Sequence, residues 1–297
     1  MRFCRCRRGP ERHVRDTVRA ACVGAGRAAA LALLLAGAPA GAVERPLWEA
    51  GVGAVGGSFE SWPASSERTA LALVVPWFVY RGEVLRVQDG SVTARVVDLR
   101  RLVLDLGVDA APAPRDRDGG VREGMPKLGW MLEAGPRLRW RLDDPDSLDE
   151  RWFASVAARA ALSVRGGARP RGGVVSPSLD YLNRQAMGGR FTLSASLAAE
   201  FATSSYARYY YDVPEAYATA TRPAYAARAG YLGTRLYASM QYRIDRTFSV
   251  YAFLDGGLYR GAANEDSPLA GRERGVSAGI GVIATLGRSD RLVTVPD

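Results

Sequence analysis

Histidine, cysteine and lysine are nearly missing from this 297-residue chain. The one histidine is His13, the three cysteines are Cys4, Cys6 and Cys22, and Lys127 is the sole lysine. Long hydrophobic runs are missing as well. After residue 42 no apolar stretch approaches the roughly 20 residues that a bilayer-spanning helix needs, which excludes a helical membrane protein. A formal net charge of +9 points at first to nucleic acid or an anionic surface. The charge, however, is unevenly placed.

Residues 1–27 hold eight arginines against Glu11 and Asp16, a local net charge of +6. An apolar run from Ala28 to Ala36 follows, then Ala38-Pro39-Ala40-Gly41-Ala42. A basic segment, a short apolar core and an Ala-x-Ala site are the parts of a secretory signal peptide. Residues 1–42 are therefore expected to be cleaved, with Val43 first in the mature chain and cleavage after Ala40 the alternative. The long basic stretch also admits a start at Val14 or Val18.

Removal of 1–42 leaves 43–297 as one domain with 32 basic and 29 acidic residues, a net charge of +3, and neither histidine nor cysteine. Disulfides, thiolate chemistry and zinc sites built on His or Cys are then excluded. So is any triad with a histidine base. The sequence predicts no cofactor, no metal, no catalysis and no nucleic-acid partner.

What the mature chain does contain is period-two alternation. In 131–142, Leu132, Ala134, Pro136, Leu138, Trp140 and Leu142 alternate with Met131, Glu133, Gly135, Arg137, Arg139 and Arg141. In 150–165, Trp152, Ala154, Val156, Ala158, Ala160, Leu162 and Val164 alternate with Arg151, Ser155, Arg159, Ser163 and Arg165. Other one-faced sets are Leu102/Leu104/Leu106/Val108, Leu232/Leu236/Ala238/Met240/Tyr242 and Val276/Ala278/Ile280/Val282/Ala284/Leu286. Strand side chains point alternately to opposite faces, so each set marks a strand with one apolar face.

Twelve candidate strands follow: 48–58, 69–81, 83–89, 91–98, 100–109, 127–142, 150–165, 173–184, 190–202, 226–243, 247–259 and 274–286. The third, fourth and eighth are the weakest, which makes ten the lower alternative. Several outrun the roughly 5–6 residues usual in soluble domains and match the roughly 9–11 of a tilted membrane-spanning strand. A soluble β-sandwich or lipocalin-like barrel would need shorter ones. Long connections at 59–68, 110–126, 166–172, 203–225 and 260–273 alternate with short ones, as outer-membrane barrels require, and Gly90 is the exception. Trp48, Trp77, Tyr80, Trp130, Trp140, Trp152, Tyr242 and Tyr259 lie near strand ends, where an interfacial girdle belongs. The fold class predicted is all-β, a single antiparallel transmembrane barrel.

Several motifs look chemical and fail on context. Gly51-Val52-Gly53-Ala54-Val55-Gly56 fits a dinucleotide fingerprint, but Ser61-Trp62-Pro63 is no helix start and no βαβ unit follows. Gly275-Val276-Ser277-Ala278-Gly279 fits a nucleophile elbow, but it has no histidine and the strand runs on to Leu286. The carboxylate pairs Asp143-Asp144, Asp149-Glu150 and Glu265-Asp266 read as solvated turn residues. Arg137, Arg139, Arg141, Arg159 and Arg235 fall on the lumen phase, either lining an anion-selective pore or pairing with Glu133 and Glu200 to close it. Arg165–Arg171 reads as a solvated loop, with lipopolysaccharide phosphates the alternative contact.

Specific stretches resemble the MipA/OmpV family of outer-membrane proteins. They are Leu47-Trp48-Glu49-Ala50-Gly51-Val52-Gly53, Pro76-Trp77-Phe78-Val79-Tyr80-Arg81-Gly82, Gly124-Met125 and Leu132-Glu133-Ala134-Gly135-Pro136. Tyr209-Tyr210-Tyr211-Asp212-Val213-Pro214-Glu215-Ala216, Pro223-Ala224-Tyr225 and Asp266-Ser267-Pro268-Leu269 complete the match. Asp212 stands where the family usually has Gly, and Gly287–Asp297 follows a last strand that family members commonly end on an aromatic residue. The resemblance implies an outer-membrane barrel of Gram-negative type, in contact with outer-membrane lipid and lipopolysaccharide. It implies a scaffold joining the lytic transglycosylase MltA to a penicillin-binding protein in peptidoglycan turnover. Porin-like and adhesin roles also occur in the family. On the scaffold reading the partner-facing turn is expected at Asp143, Asp144, Asp146 and Asp149, whose charge would attract a basic partner.

Overall fold

The computed structural model describes residues 44–82, 85–88, 91–99, 101–114, 119–144 and 150–294. The leader 1–42, and Asp146 and Asp149 of the acidic turn, lie outside the described residues.

Among the described residues there are fourteen strands: β1 (Glu44–Pro46), β2 (Trp48–Glu60), β3 (Arg68–Arg81), β4 (Leu85–Gln88), β5 (Ser91–Asp98), β6 (Leu102–Ala111), β7 (Trp130–Arg141), β8 (Glu150–Val164), β9 (Ala168–Gln185), β10 (Phe191–Ala202), β11 (Gly230–Arg243), β12 (Phe248–Leu258), β13 (Arg274–Arg288) and β14 (Leu292–Thr294). β2 to β13 form one closed antiparallel barrel of neighbouring hairpins, with β13 pairing β2. All twelve expected strands are there. The wall is uneven: β3 pairs β2 along its full length, from Glu60↔Arg68 to Trp48↔Tyr80, but meets β4 only at Tyr80 and Arg81.

The alternation in the sequence becomes the two faces of this wall. Along β8, Arg151, Phe153, Ser155, Ala157, Ala161 and Ser163 are buried while Trp152, Val156 and Leu162 are exposed. Exposed Leu106, Leu132, Leu138, Leu197, Leu236, Leu254, Ile280 and Val282 continue an outer apolar belt around the barrel. Water would penalise such a surface, and hydrocarbon would not. Closure pairs the strand edges that a membrane could not solvate.

Four expectations are corrected. Residues 168–171 belong to β9, not to a loop, because the Gly166-Gly167 turn (φ 62° and 148°) reverses the chain at once. Arg171 therefore stays on the wall, donating to Ser163 Oγ at 2.7 Å and stacking over Tyr209 at 4.5 Å. Trp77 lies on the inner phase of β3 and lines the lumen. Tyr259 is buried beyond β12 and donates to Glu60 Oε2 at 2.7 Å. Leu232 leaves its expected outer set: a bulge sets Phe201 opposite Tyr231 and Glu200 opposite Gly233, turning Leu232 inward. Gly233 takes φ 147°, which a side chain would resist. Trp48, Trp130, Trp140 and Trp152 do sit exposed at strand ends, and Tyr242 lies against Phe191 at 4.8 Å.

The residues after the last barrel strand are used. β14 folds back to pair with β1 as a two-stranded ribbon beside the barrel's short-turn end. Leu47 N–H donates to Arg291 O and Arg81 N–H to Leu47 O, both at 2.8 Å.

Candidate functional site

The lumen changes character along its length. In the wall between β6 and β7, the fully buried Asp105 accepts Arg137 Nε at 3.1 Å and Arg139 Nη2 at 2.8 Å. Toward the long-loop end, Arg159 meets Asp109 at 3.4 Å and Glu133 at 3.6 Å. Arg235 pairs with Asp255 and reaches Glu200 at 3.6 Å. Of the two arrangements open from the sequence, the arginines adopt the paired one. Arg141 turns instead to Asp143, at 3.1 Å.

Beyond this layer the long connections fill the mouth. The connection after β10 forms the helix α1 (Ser204–Tyr211). Its buried Tyr206, Ala207, Tyr210 and Tyr211 pack against Met131 of β7, Ala161 of β8, Val174 of β9 and Leu232 of β11. Trp62, from the connection after β2, and Leu128, from the one after β6, complete the cluster. Fully burying one aromatic side chain is worth about 1.5–3 kcal/mol, so several together hold a loop firmly. The sequence signal for this plug was present: Tyr206 and Tyr210 are one helical turn apart, with Ala207 and Tyr211 beside them.

Polar contacts fix the plug's position. Tyr206 donates to Glu133 Oε1 at 2.9 Å, Tyr211 to Pro63 O at 3.1 Å, and Ser267 Oγ to Tyr211 O at 2.8 Å. Trp62 Nε1 donates to Leu269 O at 3.0 Å. Arg222 ties two connections together, donating to Val121 O, Glu123 O and Tyr217 O. Burial pushes the Tyr211 phenol well above its usual range, with Tyr259 and Tyr210 adding to the shift, so it stays a neutral donor. Asp212 takes φ −70°, where any residue fits, and its Oδ1 accepts Ala227 N–H at 2.8 Å. A side chain is therefore accommodated, and used, at this position.

The two motif-like segments are structural. Gly51–Gly56 runs along β2. Ser277 lies inside β13, its Oγ accepting the Glu60 amide at 2.9 Å. A Cβ on Gly279 would come within 2.5 Å of the Phe253 ring, so that glycine admits the lumenal stack of Phe253 on Phe59.

The short-turn end is built differently. The acidic turn begins there, and Asp143 is engaged within it, accepting Arg141 Nε and, at 2.8 Å, the Trp152 amide. In the β11–β12 turn, Asp245 accepts the Phe248 and Thr247 amides, both at 2.7 Å. These two bonds hold its carboxyl below the usual carboxylate range. Beside the β11–β12 turn, and bounded by β2, β3 and β13, lies a cavity of about 400 Å3 that no sequence motif announces.

A closed antiparallel barrel with an apolar belt, a lumen of paired charges and one loop-filled mouth defines an outer-membrane-type β-barrel protein. More narrowly, the chain belongs to the MltA-interacting protein MipA family, whose sequence signature matches residues 52–285. No curated protein matches. Among solved structures, the NanC porin in its rhombohedral crystal form is similar at 12% identity with a TM-score of 0.38, over 79% of this chain and 100% of that one.

Proposed function

We infer that this chain is a non-enzymatic scaffold of the outer membrane, which offers its short-turn face to a murein-cleaving lytic transglycosylase of the MltA type and a penicillin-binding protein. Family membership carries the reading, since the family is described by its interaction with MltA. Short turns face the periplasm in such barrels, and so would these. The packed outer mouth favours a scaffold over an open channel. Asp143, Asp144, Asp146 and Asp149 are the charges proposed for the partner, of which Asp143 also accepts Arg141 Nε and the Trp152 amide.

The test is a pull-down of the detergent-solubilised barrel with envelope lytic transglycosylases. Retention of the transglycosylase is the expected result, and no retention by a heat-modifiable, folded barrel rejects the scaffold. Replacing Asp144, Asp146 and Asp149 by Asn is expected to weaken retention. Unchanged retention moves the contact elsewhere on that face.

A further inference from the structure

The cavity at the short-turn end has the size of a ligand site, since such sites run from about 300 to 1,000 Å3. Trp77 of β3 and Tyr251 of β12 line it deep in the lumen, and Arg243, Arg246 and Arg288 line its rim. Three observations single it out.

The first is a tryptophan on the inner face of the wall. Trp48, Trp130, Trp140 and Trp152 lie exposed on the outer belt, as the membrane interface favours. Trp77 points the other way. Among the described residues its indole stacks on no ring and its N–H meets no acceptor. Half-buried on the lumen wall, it leaves both its ring face and its N–H to the cavity.

The second is a glycine that packing does not require. A Cβ on Gly51 would lie 1.9 Å from Ala284 O, and one on Gly281 2.7 Å from Ala54 O, so neither position accepts a side chain. A Cβ on the inward-facing Gly53 would meet only Val75 at 3.8 Å and Trp77 at 3.9 Å, ordinary contacts. Glycine at 53 keeps the wall beside Trp77 free of a side chain that the backbone there would accept.

The third is an excess of donors over acceptors. Three carboxylates, Glu44, Glu49 and Asp245, line the cavity against five arginines, Arg45, Arg81, Arg243, Arg246 and Arg288. Glu49 is engaged by Arg81 at 2.5 Å and Asp245 by the amides of its own turn, while Glu44 lies exposed at the edge. Arg288 donates only to the Arg246 carbonyl, at 2.9 Å. Among the described residues the side chains of Arg243, Arg246 and Gln241 make no hydrogen bond or ion pair. Guanidinium groups present a planar fork that fits a carboxylate, and an indole face packs against a ring.

We propose that this cavity binds a small organic carboxylate carrying a ring, its carboxylate held by Arg243 and Arg246 and its ring against Trp77. The site is blind, because the opposite end of the lumen is filled by α1 and its cluster. It therefore captures its ligand from the short-turn side and does not pass it through.

The test uses the full mature barrel in detergent micelles, read by tryptophan fluorescence and calorimetry. The probes are 4-hydroxybenzoate and glucuronate, an aromatic and a sugar carboxylate, each beside its uncharged counterpart, 4-hydroxybenzamide and glucose. At least one carboxylate is expected to bind saturably and about tenfold or more tighter than its counterpart, as a charge-assisted pair requires. The Arg243→Gln/Arg246→Gln double variant is expected to lose about that factor, and Gly53→Leu to abolish binding by filling the cavity. No saturable binding of either carboxylate overturns the proposal, as does equal affinity for a carboxylate and its counterpart, or unchanged affinity in the arginine variant. Both arginines lie at the exposed rim, so that variant decides the matter even if Gly53→Leu does not fold.

Discussion

The two ends of this barrel are made from the same alternating strands, yet one is packed and the other is hollow. At the long-loop end, connections carry Trp62, Leu128, Tyr206, Tyr210 and Tyr211 over the mouth and bury them together. At the short-turn end, connections such as 244–247 are too brief to fold back and leave arginines around a cavity. Connection length decides the difference. A chain must leave the wall and return with enough apolar surface to offset the entropy of ordering it, and only the long connections do so.

The comparison breaks most severely at the layer between the ends. Asp105→Asn would leave the Arg137 and Arg139 guanidinium groups without the buried carboxylate they share. A loss of about 3–5 kcal/mol of barrel stability is expected, read by urea titration of the folded form. Both mouths would suffer together, since β6 and β7 serve each end.

Next comes the plug itself, where the loss is confined to one mouth and leaves the wall standing. Tyr206→Ala/Tyr210→Ala removes two buried rings from the outer cluster, each large-to-small change in a core costing about 3–5 kcal/mol. The cost falls on the docking of α1. Amides of 203–229 are expected to exchange faster, and planar-bilayer conductance to rise above that of the parent protein. Unchanged conductance with faster exchange would place the block in the Arg159 and Arg235 layer below.

A milder probe of the same end is Trp62→Phe, which keeps the ring and deletes the donor to Leu269 O. About 1 kcal/mol of local stability is expected to go, seen in the exchange of amides near Leu269.

The smallest effect belongs to the hollow end and is acid-dependent. Asp245 has a folded-state pKa below its unfolded value, so its contribution is present above the unfolded value and is lost as pH falls through the folded one. Exchange of the Thr247 and Phe248 amides, measured against neighbours of equal exposure, is expected to accelerate across that acid window. In Asp245→Asn the extra acceleration should vanish.

Much of the wall was legible beforehand, for a physical reason. Side-chain direction in a strand has a period of two, and a membrane on one face with a polar lumen on the other writes that period into Leu132/Arg137/Leu138/Arg139 or Trp152/Ser155/Val156/Arg159 without ambiguity. The exceptions are local. Leu232 obeys the pattern but sits beside a bulge, and Trp77 resembles a girdle residue by position while pointing inward.

The sequence by itself determined the strands, the alternation of long and short connections, and the lack of histidine and cysteine chemistry after residue 42. These are properties of neighbours along the chain. Only the tertiary structure decided which lumenal arginines are neutralised, that Tyr206 and Tyr210 close one mouth, and that a cavity remains at the other. Those facts depend on residues far apart in sequence, such as Glu133 with Tyr206 or Gly53 with Trp77, which meet only once the wall has curved back on itself. Closure brings them together, and no local period encodes it.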